Sequence, residues 1–173
     1  MRSQWLTAGL DALRKGGVAA VRVERLADAI GVTKGSFYHH FRDRRALLDA
    51  LVDYWSREMT DAEFERIASL RGGLEARLLA LAEDVLEKGM GRYDPPLRAW
   101  SRSDRKVAAA VAQVDKRRVG ALTALFDDAG FGRAAARTRA RLFYTFLLGE
   151  PQVRSPGRED GELARMVRIL AEP

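Results

Sequence analysis

Cysteine is absent from the 173 residues. That excludes disulfides, thiol nucleophiles and cysteine-based metal sites. Histidine is scarce: His39 and His40 are the only two, and they are adjacent. Adjacent histidines lack the His-x-x-x-His spacing that sets two ligands on one helix face. Neither has an obvious catalytic carboxylate partner. No Walker-type or dinucleotide glycine loop is present. The sequence therefore predicts no catalytic residue, no metal, no cofactor and no enzymatic activity. No run of about 18 apolar residues exists, so no membrane span is expected. The N-terminal residues, MRSQWLTAGLDALRK, lack a signal-peptide core and cleavage site. With the missing cysteines, this fits a cytoplasmic, nucleoid-associated protein. Repeats and low-complexity segments are also lacking.

What is present is helical and basic. Hydrophobic residues make up 47% of the chain, enough for a real core. The formal net charge is +6. Residues 1–45 hold nine basic and four acidic side chains, so +5 of that excess sits at the N-terminal end. A basic head on a nearly neutral body points to a polyanionic partner for the head alone. Solvated surface charge is the plainer alternative.

The most informative stretch is Val23 to Phe41, VERLADAIGVTKGSFYHHF. Val23, Leu26, Ala27 and Ile30 follow the i, i+3, i+4, i+7 pattern of one buried helix face. Gly31 suits a left-handed helix stop. Thr33 then stands where an N-cap oxygen is needed, with Val32 and Phe37 spaced as a hydrophobic staple. Phe37 and Phe41, four apart, anchor a second short helix inward. That leaves Lys34, Gly35, Ser36, Tyr38, His39 and His40 off the anchored face. Lys34 and Ser36 are donors suited to base edges or phosphates. Gly35 lets the backbone N–H groups approach a phosphate. Two helices with this spacing predict a helix-turn-helix whose second helix enters a major groove. An ordinary helical hairpin with a solvated face is the alternative.

The residues Leu26-Ala27, Gly31-Val32, Lys34-Gly35, Phe37-Tyr38, His40-Phe41 and Arg44-Arg45-Ala46-Leu47-Leu48 together resemble the tetracycline-repressor (TetR) family of bacterial transcription regulators. The resemblance runs from about Trp5 to Trp55. It implies an all-α protein: a three-helix DNA-binding head on a helical ligand-binding and dimerisation body. It also implies DNA contacts at Thr33, Lys34, Gly35, Tyr38, His39, His40 and Arg44. One departure stands out. Family members often carry Ser or Thr near the start of the first motif helix as a phosphate contact, and here Val23 and Glu24 occupy that region. Arg22 or Arg25 is the substitute on offer.

The head is expected over residues 1–45 and the body over 46–173. Residues 3–15 predict a first helix with Leu6, Leu10 and Leu13 inward, ended by Gly16-Gly17. Asp43 caps a helix that keeps its period through Leu48, Leu51, Val52, Trp55, Met59, Phe64 and Ile67 to about Leu70. Arg44 and Arg45, cations at the disfavoured end of the helix dipole, suggest an outside partner. Gly72-Gly73 breaks the chain. Leu74 to Val85 gives the next helix. Asp94, read as a cap ahead of Pro95-Pro96, starts a short one, and Asp104 caps a long one ending at Gly130. Residues 133–149 predict a helix whose second half is apolar nearly all round. Pro151 and Pro156 interrupt, and Leu163, Met166, Val167 and Leu170 mark a last amphipathic helix. Pairing of residues 133–171 with a second copy would bury the excess apolar surface; the internal core of a monomer is the alternative.

These features predict a homodimer that binds double-stranded DNA at a palindromic operator, with a repressor as the expected role. A small-molecule effector, apolar or amphipathic, is expected in the body. Trp55, Met59, Met90, Trp100 and Phe126 are the candidate lining residues, with plain core packing as the alternative for each. Two other readings stand beside this one: a DNA-binding regulator or architectural protein without small-molecule input, and a helical protein-interaction module.

Overall fold

The computed structural model describes residues 1–153 and 159–172, and its regular elements are all helical. The all-α expectation is met. The helices are α1 (Arg2–Ala20), α2 (Val23–Ile30), α3 (Lys34–Tyr38), α4 (Arg44–Tyr54), α5 (Thr60–Ser69), α6 (Leu74–Leu86), α7 (Asp94–Ser101), α8 (Arg105–Asp128), α9 (Arg133–Gly149) and α10 (Glu162–Ala171). A π-turn spans Trp55–Met59 and a 3₁₀ turn Glu150–Gln152. Pro156 lies outside the described residues. The chain forms two compact units, residues 1–61 with 92–113, and residues 62–91 with 114–173.

In the first unit α1 packs against α2, α4 and α7. Leu6, Leu10 and Leu13 are buried as their spacing predicts, and Trp5 is fully buried beside them. The expected stop at Gly16-Gly17 is a break in α1: Gly17 has φ 66°, a conformation that costs glycine little. Gly9, not singled out by the sequence pattern, permits a close approach. A Cβ there would stand 2.8 Å from Leu51 Cδ2, and Leu51 is fully buried. Gly9→Val is expected to wedge α1 off α4 and cost about 1–3 kcal/mol, read as a lower urea midpoint at unchanged slope.

The long helix expected from Arg44 to Leu70 is helical throughout α4 and α5 but not regular. The π-turn inserts between them, and the Thr60 hydroxyl donates to the Trp55 carbonyl at 3.0 Å. Such insertions leave carbonyls without their usual partner, and a buried threonine supplies one. The Trp55 indole N–H donates to Asp94 Oδ1 at 3.0 Å. This corrects the reading of Asp94 as a cap: it is the first residue of α7, Tyr93 precedes it, and no side chain caps that end. A buried indole N–H needs an acceptor, and Asp94 supplies it.

In the second unit α6 packs against α9 and α10. Leu78, Leu81, Leu122, Phe126, Phe143, Leu147, Leu163 and Val167 form its core. α9 and its expected boundaries coincide, but it is not buried all round. Ala136, Ala140, Phe143, Tyr144 and Leu147 face inward, whereas Leu142 is 55% exposed. Two buried charges, Arg118 and Asp84, are paired. Arg118 holds Glu63 through Nε and Nη2, at 3.0 and 2.9 Å. Asp84 is pushed up by burial, but Lys88 at 2.9 Å and Arg66 at 2.8 Å outweigh that and hold its carboxyl below the usual range.

Candidate nucleic-acid interface

The site is built on a turn that local chemistry dictates. Gly31 closes α2 with φ 70° and ψ 34°, and its N–H and that of Val32 return to the end of α2. Thr33 then takes an extended conformation and its hydroxyl accepts from the Ser36 N–H at 3.3 Å. Both features match the sequence expectation. α3 itself is short, five residues, and His39 and His40 lie in the turn after it. Helical hydrogen bonding nevertheless carries over, because the Phe41 N–H donates to the Phe37 carbonyl at 3.0 Å.

Aromatic packing fixes which side of α3 faces out. Phe37 is fully buried and Phe41 nearly so. The Phe37 ring lies 5.3 Å from that of Trp5 and 5.4 Å from that of Phe41. Tyr38 meets Phe37 edge-on at 5.3 Å, yet remains 58% exposed. Thr33, Lys34, Gly35, Tyr38 and His39 are exposed; Ser36 and His40 are half-buried. The candidates on and beside α3 thus share the outer side of a helix pinned by two phenylalanines. Ser36 is the least available of them, as its hydroxyl points at the Met1 sulfur, 3.7 Å away.

The charged candidates are tethered. Lys34 pairs with Glu24 of α2. The hydrogen bond to Glu24, then its charge, pushes the Lys34 ammonium up; the same bond pulls the Glu24 carboxyl down. Both groups are more than half exposed, so the pair orients rather than stabilises. Arg44 donates from Nε to the Val21 carbonyl at 2.7 Å, and from Nη2 to the Val18 carbonyl. It therefore staples the turn between α1 and α2 to the start of α4. Arg45 pairs with Asp49 and Asp104, each at 3.1 Å. Both arginines thus have internal partners: carbonyls left open where α1 ends, and carboxylates of α4 and the cap of α8. Arg22, offered as a substitute phosphate contact, donates to the Ala19 carbonyl at 3.2 Å. Asp43 caps α4 as predicted, accepting from the Ala46 N–H at 2.7 Å; that bond, with Arg42 beside it, holds its carboxyl low.

Sequence reasoning missed the Glu24 tether and the Arg44 staple. The first links residues ten apart across the turn, and a basic–acidic pair at that spacing was its only signal. The second uses backbone carbonyls more than twenty residues away, which leave no trace in side-chain pattern. Among the described residues no cluster of three or more His, Asp or Glu is arranged to hold a metal, and no helix is long and apolar enough to cross a membrane.

A model of bacterial regulatory proteins of the tetR family matches residues 6–51, the stretch from α1 into α4 just described. The transcriptional regulator BetI of Cronobacter sakazakii is 28% identical over 147 residues, covering 82% of this chain and 70% of that protein. By residues 6–51 the chain is similar to TetR-family regulators. Solved structures share the fold over nearly the whole length. The reduced form of NemR from E. coli superposes with a TM-score of 0.74 at 20% identity, covering 96% of this chain and 93% of that one. AibR, solved in complex with isovaleryl coenzyme A and operator DNA, gives 0.69 at 20% identity, covering 99% and 98%. At these identities the likeness is one of fold. The matched family is one of bacterial regulatory proteins, and the relative BetI is a helix-turn-helix transcriptional regulator.

Proposed function

We propose that this chain is a repressor of the TetR family that binds a palindromic operator as a homodimer and is released from it by a small molecule. Residues 1–45 serve as the DNA-binding domain and 46–173 as the effector and dimerisation domain. Thr33, Lys34, Gly35, Ser36, Tyr38, His39, His40 and Arg44 form the DNA contact set, and the chain catalyses no reaction. The observation that carries the reading is the outward side of α3: exposed donors on a short helix locked by Phe37 and Phe41, within a strongly basic head. Arg44 acts on DNA chiefly through the turn it staples, with its remaining N–H groups free for a phosphate.

Dimerisation through residues 133–171 is supported by apolar surface on two neighbouring helices. Leu142 of α9 and Ile169 of α10 are 55% and 72% exposed. Residues 154–158 of that stretch lie outside the described set. The double substitution Leu142→Asp and Ile169→Asp is expected to yield a monomer in sedimentation velocity, and with it a loss of operator binding far beyond tenfold, since one half-site holds one head alone.

The effector assignment rests on the AibR likeness, whose structure contains an acyl-coenzyme A, and on large apolar side chains in the body. Of the five candidates, Trp55, Trp100 and Phe126 are buried, and Met59 and Met90 are half-buried. Trp55 is committed to Asp94 and Phe126 to the core of the second unit. That packing favours core roles for these two, and it favours the second reading, a DNA-binding regulator without small-molecule input. A thermal-shift screen separates the two, because a true effector raises the melting temperature by mass action. An effector that stabilises the chain yet leaves operator affinity unchanged would remove the release step.

A further inference from the structure

We propose that the cleft between α8 and α9 is a binding site for a small molecule carrying a diphosphate. The cleft measures about 760 Å³ and lies wholly within the second unit. That is the size of ordinary small-molecule sites. Arg133, Arg137 and Arg141 line one wall and Lys116 the other. The three arginines stand at i, i+4 and i+8 of α9, so they form one stripe with steps of about 6 Å.

These four cations have no ion-pair or hydrogen-bond partner among the described residues. Their neighbours do. Arg66, Arg118, Arg165 and Arg168 in the same unit each hold a carboxylate. Arg139, on the same helix, donates to the Leu170 carbonyl at 2.7 Å and covers the Phe131 ring. The single acid in the cleft, Asp115, accepts from the Tyr144 hydroxyl at 2.7 Å. A net charge of about +3 thus faces one cavity uncompensated, a field that concentrates anions. Guanidinium forks match phosphate oxygens in pairs, and two forks one helical turn apart suit two linked phosphates better than one carboxylate. Val119, Leu148 and the Tyr144 ring give an apolar patch for the rest of the molecule. Gly120 leaves open space where a side chain would stand.

The test uses the full chain and inorganic pyrophosphate, without DNA, so its failure leaves the operator reading untouched. Calorimetric titration at constant ionic strength is expected to show saturable binding, with a raised melting temperature that matched sodium chloride does not reproduce. Arg137→Gln with Arg141→Gln is expected to weaken binding at least tenfold. Arg71→Gln, an exposed cation outside the cleft, is expected to leave it unchanged. Far-UV circular dichroism confirms that the variants fold, and the single variants Arg133→Gln and Arg137→Gln repeat the measurement. Absence of saturable binding, or equal binding by the double variant, overturns the site. So does a double variant that changes oligomeric state while pyrophosphate has no effect, which would make the stripe a seat for a second copy.

Discussion

Phe37→Ala is expected to lose both the head and its DNA binding. The ring is fully buried between Trp5 and Phe41. Truncating a buried phenylalanine costs about 3–5 kcal/mol, partly from the cavity it leaves. A whole domain has only about 5–15 kcal/mol to lose. Because the same ring fixes the outward face of α3, loosening it removes the shape that docks as well as the stability. Chemical denaturation should show a much lower midpoint, and anisotropy with operator DNA should show no saturable binding. A Phe37→Ala protein with parental stability would mean that the aromatic cluster does not hold α3.

Tyr38, Lys34 and Glu24 are expected to separate binding from folding. Tyr38 is more than half exposed, so Tyr38→Ala should leave the melting temperature near the parental value. A hydrogen bond to a charged phosphate is worth about 1.5–3 kcal/mol, so operator affinity should fall roughly 10- to 150-fold. Lys34→Ala should also weaken binding and lower the slope of log K against log salt by about one. Glu24→Gln should act in the opposite sense. It removes a negative charge beside the docking face and releases Lys34 from its internal partner, so nonspecific affinity rises and the salt slope steepens. Fluorescence anisotropy over a salt series reads all three. Weaker binding by Glu24→Gln would show that the pair places Lys34 for its contact, and that the gain from freeing it is the smaller effect.

The features legible in the sequence are those set by a few neighbouring residues. Gly31 turned left-handed and Gly17 broke α1 through backbone preference, and Thr33 and Asp43 capped α3 and α4 through side-chain oxygens, all within one turn. The limits of α9 fall where they were expected, between the stop at Gly130 and the breaks at Gly149 and Pro151. What stayed hidden depends on residues distant in sequence. The π-turn at Trp55–Met59 breaks no pattern of apolar residues; its sign is Thr60, a polar side chain at an inward position. Asp94 reads as a cap beside two prolines, yet its carboxylate is taken by an indole 39 residues earlier. Gly9 matters only because Leu51 lies across from it. At the candidate interface, spacing identified the outward residues of α3, since two phenylalanines four apart define the opposite face. It did not reveal that Lys34 and Arg44 are held internally, because their partners are a side chain across the turn and two carbonyls at and just beyond the end of α1.

The central claim is that two copies of this chain present the outer side of α3 to one DNA duplex. Selection of bound duplexes from a random library by the purified chain tests it most directly. The account predicts enrichment of an inverted repeat, two half-sites centred about one helical turn or a multiple apart, and loss of that enrichment with Tyr38→Ala. Recovery of no sequence, or of one unrepeated site bound equally by Tyr38→Ala, would contradict it.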